Sequence, residues 1–182
     1  MIDEKRIKEA ESNLREYLRE NLIIETKNET AKAMYIENSD LSLKTAEKLL
    51  EIENKDYRPY LWIIVTSYYA MYYIANAVLL NLGYKIGHKI SHKVTADALI
   101  VFVRHKLKKE LLEEYENIKE DAMELISSKI ETKVNDLIKS FDFELEKRSK
   151  FQYQMDESIK KTKALTSLDR AKRFSFEIGK LL

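Results

Sequence analysis

Residues 59–84 read PYLWIIVTSYYAMYYIANAVLLNLGY and contain no charged side chain. Across the whole chain 35% of residues are Asp, Glu, Lys or Arg, so this run is a different kind of segment. Pro59 opens it and Gly83 closes it, in line with the preference for Pro at the first helical position and Gly just past the last. One helix is therefore expected between them, with three stripes at helical spacing. Leu61, Val65, Tyr68, Tyr72, Ala75, Leu79 and Leu82 form the first. Trp62, Thr66, Tyr69, Tyr73, Asn76 and Leu80 form the second. Ser67, Ala70, Ile74, Ala77 and Asn81 form the third, whose small members allow another backbone to come close. A helix with no charged face has to be surrounded by protein or by lipid. About 20 apolar residues can cross a bilayer, but membrane tyrosines gather at the two interfaces. Here they fill the middle, together with Thr66, Ser67 and Asn76. The segment reads as the buried helix of a bundle, within one copy or between two, and not as a membrane span.

The rest of the composition agrees. A chain of 182 residues has room for one ordinary domain and an added arm. Hydrophobic residues make up 45%, enough for a core. Three Gly and one Pro are too few for a turn-rich β protein. The net charge of +1 gives no overall pull toward nucleic acid or membrane, so any RNA contact needs a local patch. With no Cys, disulfides, thiolate metal sites and Cys nucleophiles are excluded. The opening MIDEKRIKEA has no apolar core of the signal-peptide kind, which makes the cytoplasm the expected location.

Working outward, Ile7, Ala10, Leu14, Tyr17 (or Leu18) and Leu22 predict a first amphipathic helix. A break follows at 26–30, with Asn28 or Thr30 as N-cap. The next helix is expected to turn Met34, Leu41, Thr45 or Ala46, Leu49 and Ile52 inward. After the central helix, GYKIGHKIS (83–91) reads as a loop, and a helix starting near Ser91 or His92 carries Val94, Ala98, Val101 and Phe102. Leu111, Tyr115, Ile118, Ala122 and Leu125 form a coiled-coil-like seam that opens a long helical hairpin. FELEKRSKFQYQM (143–155) reads as one more helix, and Ala164, Leu165, Leu168, Ala171, Phe174, Ile178 and Leu181 as the last.

Phosphate-cradling glycine loops are absent. His88 and His92 stand at a metal-ligand spacing if helical, but Gly87 and Ser91 put His88 in the loop and no third ligand accompanies them, so no metal or cofactor is expected. His105, beside Arg104, reads as exposed. Arg148 shares a short segment with Phe151 and Tyr153. Its planar fork suits a phosphate and the aromatics suit a base. The same Arg148 also sits four residues after Glu144, the spacing of an ordinary surface pair.

Several of these segments resemble the HEPN superfamily of small all-α proteins. SDLSLKTAEKLLE (39–51) is similar to its first core helix, and SYYAMYYIANAVLLNLGYKIGHKISHK (67–93) to its signature helix followed by Gly and a loop ending in Ser-His-Lys. EKRSKFQYQM (146–155) resembles its Arg-containing segment and LDRAKRFSFEIGKLL (168–182) its closing helix. The resemblance implies an all-α up-down bundle of four or five helices, usually a homodimer with a cleft between the copies. It also implies binding of RNA or nucleotide, in a toxin–antitoxin, antiviral or RNA-processing system, in some cases beside a minimal nucleotidyltransferase partner.

Many members are metal-independent endoribonucleases with a motif of Arg, four to six residues, then His. No Arg stands at that distance before any histidine here; Arg148 is followed instead by Tyr153, as in a variant branch. Tyr, with a reference pKa of about 10, is a poor base, so the departure argues against nuclease activity. Carried over residue by residue, the candidate catalytic set is Arg148 for phosphate, with Tyr153 and His92 as supporting donors. Residues 1–27 then form an N-terminal helical extension, 28–182 the bundle, and about 105–140 a helical insertion. The rival reading is a non-catalytic scaffold whose Leu111–Leu125 seam and first helix bind another protein.

Overall fold

The computed structural model describes residues 2–130 and 157–182. In chain order their elements are α1 (Glu4–Arg19), β1 (Ile23–Glu25), α2 (Glu29–Glu51), α3 (Tyr60–Asn81), β2 (Tyr84–Ile86), α4 (Ser91–Phe102), α5 (Lys109–Ile130) and α6 (Glu157–Gly179). The described residues are predominantly helical, with one small two-stranded antiparallel sheet among them.

The uncharged run is α3, and it lies at the centre. Pro59 stands one residue earlier than the sequence suggested, as N-cap, where its carbonyl accepts the first helical bond from Ile63 N at 3.0 Å. At the other end Gly83 has φ +96°, and a Cβ there would meet no atom within 4 Å. The glycine is needed for its backbone angle alone. α3 is the one helix among the described residues long and apolar enough to cross a membrane, yet 78% of its apolar window is buried inside the protein. α2 and α6 pack along it, and α4 and α5 close the remaining side. The small third stripe is used as expected: Ser67, Ala70, Ile74 and Ala77 are buried. The second stripe is covered only in part, with Asn76 and Leu80 buried and Trp62 50% exposed.

The helix termini follow their local chemistry. The Asp3 side chain accepts from Arg6 N at 2.8 Å and caps α1; Asn28 does the same for Ala31 N and caps α2. The first helix stops three residues short of Leu22. Asn21 enters the left-handed region at φ 57°, Asn21 N bonds Leu18 O at 3.3 Å and Leu22 N bonds Tyr17 O at 2.8 Å. These are the two reversed bonds by which a helix ends on a left-handed residue. They turn the chain into β1, which pairs with β2, Ile23 opposite Ile86 and Glu25 opposite Tyr84. Three residues of the stretch 83–91, Tyr84–Ile86, are thus strand rather than loop.

Most predicted inward faces are confirmed. Ala10, Leu14 and Tyr17 are buried and Leu18 is not, which settles that alternative. Leu111, Tyr115, Ile118, Ala122 and Leu125 are all buried, as are Ala164, Leu168, Ala171, Phe174 and Ile178, whereas Leu165 is exposed. On α2 the expectation holds only in part: Ala46, one of its two alternatives, is buried, but Met34, Leu41 and Ile52 are more than half exposed and Ser39 is buried instead. The reason is close approach. Ser39 Oγ donates to the Ala70 carbonyl of α3 at 2.8 Å, a distance only small residues permit. The predicted helix 143–155 lies outside the described residues, as does the second half of the 105–140 hairpin beyond residue 130.

Candidate functional site around His92

Of the three candidate residues, His92 lies in the described structure; Arg148 and Tyr153 lie outside the described residues. His92 is the second residue of α4, whose N-terminus has no side-chain cap and is entered through Ile90 at φ 43°. The imidazole is half-buried against α3. Its Nδ1 is 2.7 Å from the Tyr68 hydroxyl, its ring centre is 4.5 Å from that of Tyr72, and Tyr69 meets it edge-on at 6.0 Å. α5 supplies the far wall through Tyr115, whose ring is 6.1 Å from that of Tyr68.

The electrostatics fix the charge states. Burial lowers the His92 pKa, and the positive charge of Lys119 on α5 lowers it further. Burial also pushes the Tyr68 phenol far above its ordinary value. Both groups are therefore neutral near pH 7, and the bond forms in either imidazole tautomer, with the phenol O–H donating to Nδ1 or Nδ1–H donating to the phenol oxygen. With the phenol as donor, the imidazole proton sits on Nε2 and His92 can give a hydrogen bond to an oxyanion while its basic nitrogen is engaged. That tautomer makes a donor, not a general base. Tyr115 is 1% exposed, and burial followed by the neighbouring Tyr68 raises its pKa strongly.

Around this centre the tyrosines of α3 form a continuous aromatic surface. Tyr69 lies 5.8 Å from Tyr73, and Tyr73 stacks with Tyr35 of α2 at 6.3 Å. His88 is exposed in the loop and His105 is exposed after α4. Among the described residues no group of three His, Cys, Asp or Glu side chains could hold a metal ion.

Sequence reasoning did not find the polar cluster on the opposite side of α4. Asp97 is completely buried and accepts from Asn13 Nδ2 and Tyr17 Oη, both at 2.9 Å. Arg6 Nη2 stands 2.6 Å from Asp97 Oδ1 and 2.7 Å from Glu116 Oε1 of α5. The available signal was Asp97 itself, the one charge in the run VTADALIVFV (94–103).

Comparison with known proteins adds no relative: no family model, curated protein or solved structure matches this chain.

Proposed function

We propose that this chain is a HEPN-like helical protein, cytoplasmic and homodimeric, that binds RNA or nucleotide phosphate and does not cleave RNA efficiently. The observation that carries the reading is His92, the histidine of the Ser-His-Lys element, neutral and 2.7 Å from the Tyr68 hydroxyl, to which we assign the Nε2–H donor tautomer. A phosphate oxygen can accept from such a donor, whereas deprotonation of a 2′-hydroxyl needs a nitrogen that Tyr68 already occupies. Arg148 and Tyr153 keep the phosphate-contacting and donor roles that the resemblance implies. A toxin–antitoxin, antiviral or RNA-processing system, with a minimal nucleotidyltransferase beside it, is the setting the same resemblance suggests.

The test is a gel shift of single-stranded RNA at two salt concentrations. Wild type is expected to bind, more weakly at high salt because counterions are released on phosphate contact. His92→Gln and Arg148→Ala are each expected to weaken binding at both salts, and cleavage by wild type should not exceed that by Arg148→Ala. Binding that ignores salt and both substitutions would remove the reading.

The scaffold alternative loses the surface first assigned to it, since the Leu111–Leu125 seam and the apolar face of α1 are inside the protein's own core. Met34 and Leu41, seven residues apart on α2 and 57% and 52% exposed, favour a contact there instead. In the homodimeric reading that contact is with a second copy. Light scattering of the Met34→Lys, Leu41→Lys double variant is expected to give a smaller particle than wild type.

A further inference from the structure

We propose that residues 1–27 are a clasp that positions His92, by holding α4 and α5 at a fixed separation and pinning the strand that leads into the His92 loop. The observations are independent of the RNA reading; only the consequence for ligand binding rests on it.

The clasp has two ends. At one, three side chains on a single face of α1, Arg6, Asn13 and Tyr17, converge on Asp97, five residues after His92 on the same helix. A completely buried carboxylate needs such partners, because burying a charge without them is strongly unfavourable. Their convergence fixes the rotation of α4 about its axis. Arg6 does more than neutralise Asp97. Its Nε and Nη2 also reach Glu116 Oε1 at 3.0 and 2.7 Å, and Glu116 is the neighbour of Tyr115 and one turn from Lys119. One guanidinium therefore ties the helix that carries His92 to the helix that supplies its far wall. Lysine has one point of attachment and could not span the two carboxylates with the same geometry. Ile2 N to Glu113 Oε1 at 2.9 Å and Arg104 Nη2 to Glu11 Oε1 at 3.0 Å reinforce the same three-helix contact.

At the other end, β1 pairs with β2 directly before the loop. Thr26 N donates to Gly83 O and Gly87 N to Leu22 O, both at 2.8 Å. The chain is thus anchored to segment 1–27 just before His88 and again at Asp97, and His92 lies between the two anchors. The extension closes the frame around the imidazole while α3 provides the floor.

The experiment is an NMR titration of His92 in the full chain, read with far-UV circular dichroism and hydrogen exchange of the α1 amides. In Arg6→Met, helix content is expected to persist, α1 amides to exchange faster, and the His92 pKa to shift upward toward that of a free imidazole, because α4 relaxes away from α5. Arg6→Lys is expected to restore the wild-type value only partly. Glu116→Gln keeps the Arg6–Asp97 pair and is the variant of choice if Arg6→Met does not fold; a smaller upward shift is expected from it. A folded Arg6→Met with loosened α1 and an unmoved His92 would overturn the proposal, as would an unmoved His92 in Glu116→Gln. Since the readout involves no RNA, a failed gel shift leaves this result standing on its own.

Discussion

The Tyr68 hydroxyl and the His92 Nδ1, 24 positions apart in the chain, lie 2.7 Å from each other where α3 meets the start of α4. With the phenol as donor, this bond favours the neutral imidazole, the form to which burial and the Lys119 charge already push His92. Tyr68→Phe keeps the ring and its packing and removes the donor. The half-buried Nδ1 is then left unsatisfied, at a cost of about 1–3 kcal/mol in a urea melt. In the same variant the His92 pKa should rise. If NMR titration returns the wild-type value, burial and the Lys119 charge set the protonation without Tyr68, and the tautomer assignment is wrong.

His92 also makes stability depend on pH in a defined direction. Its folded pKa lies below the ordinary imidazole value of about 6.5. Between the folded and unfolded values the unfolded chain binds the extra proton, so stability rises with pH across that window. The contribution is complete above about pH 6.5 and is lost as pH falls through the folded pKa. His92→Gln should flatten the curve over that interval. The groups facing His92 are Tyr68, Tyr69 and Tyr72 on α3 and Lys119 on α5. Asp3, Glu53 and Glu113 have lowered pKa values and lose charge only at more acid pH, in both proteins alike. Parallel curves for wild type and H92Q between pH 5 and 7 would rule out this assignment.

The contact of α2 with α3 depends on smallness at Ser39, which is 1% exposed and bonds the Ala70 carbonyl. Ser39→Ala removes one hydrogen bond to a carbonyl and should cost about 1 kcal/mol. Ser39→Val adds volume where the two helices are closest and should cost more, about 1–3 kcal/mol from overpacking together with the lost bond. Thermal melts of the two variants give the order directly. A valine more stable than the alanine would show room at this crossing that the structure does not have.

That same position shows where sequence reading runs out. α3 was legible because Pro59, Gly83 and an unbroken lack of charge define a helix and its burial together. The seam of α5 was legible because Leu111, Tyr115, Ile118, Ala122 and Leu125 repeat against a strongly charged background. α2 has apolar residues on more than one side, so period alone named Ala46 beside Thr45 but favoured the large Met34 and Leu41 over the small Ser39 that makes the contact. Strands of three residues such as β1 and β2 are too short for any period to register. Of the candidate site, His92 could be named from its Ser-His-Lys setting, but Tyr68, Tyr115 and Lys119 come to it from two other helices. Asp97 was visible as a lone charge in an apolar run. Arg6 was not, because it is one of many charges in its neighbourhood and only the fold reveals which one reaches Asp97.

Two glycines flank β2, and they should respond to substitution for different reasons. Gly83 has φ +96° with open space around a built Cβ, so Gly83→Ala should cost about 1–2 kcal/mol through backbone conformation alone. Gly83→Asn should cost less, since Asn tolerates the left-handed side better than other residues. At Gly87 no positive φ is involved; instead a Cβ would come 3.2 Å from the Leu22 carbonyl oxygen, the acceptor of the Gly87 N–H. Gly87→Ala must therefore push Leu22 and β1 away from β2. Because β2 leads directly into the His92 loop, its titration should move in Gly87→Ala and stay put in Gly83→Ala, even where the two variants melt at similar temperatures. Equal movement in both would mean that His92 reports general loosening rather than the pairing of β1 with β2.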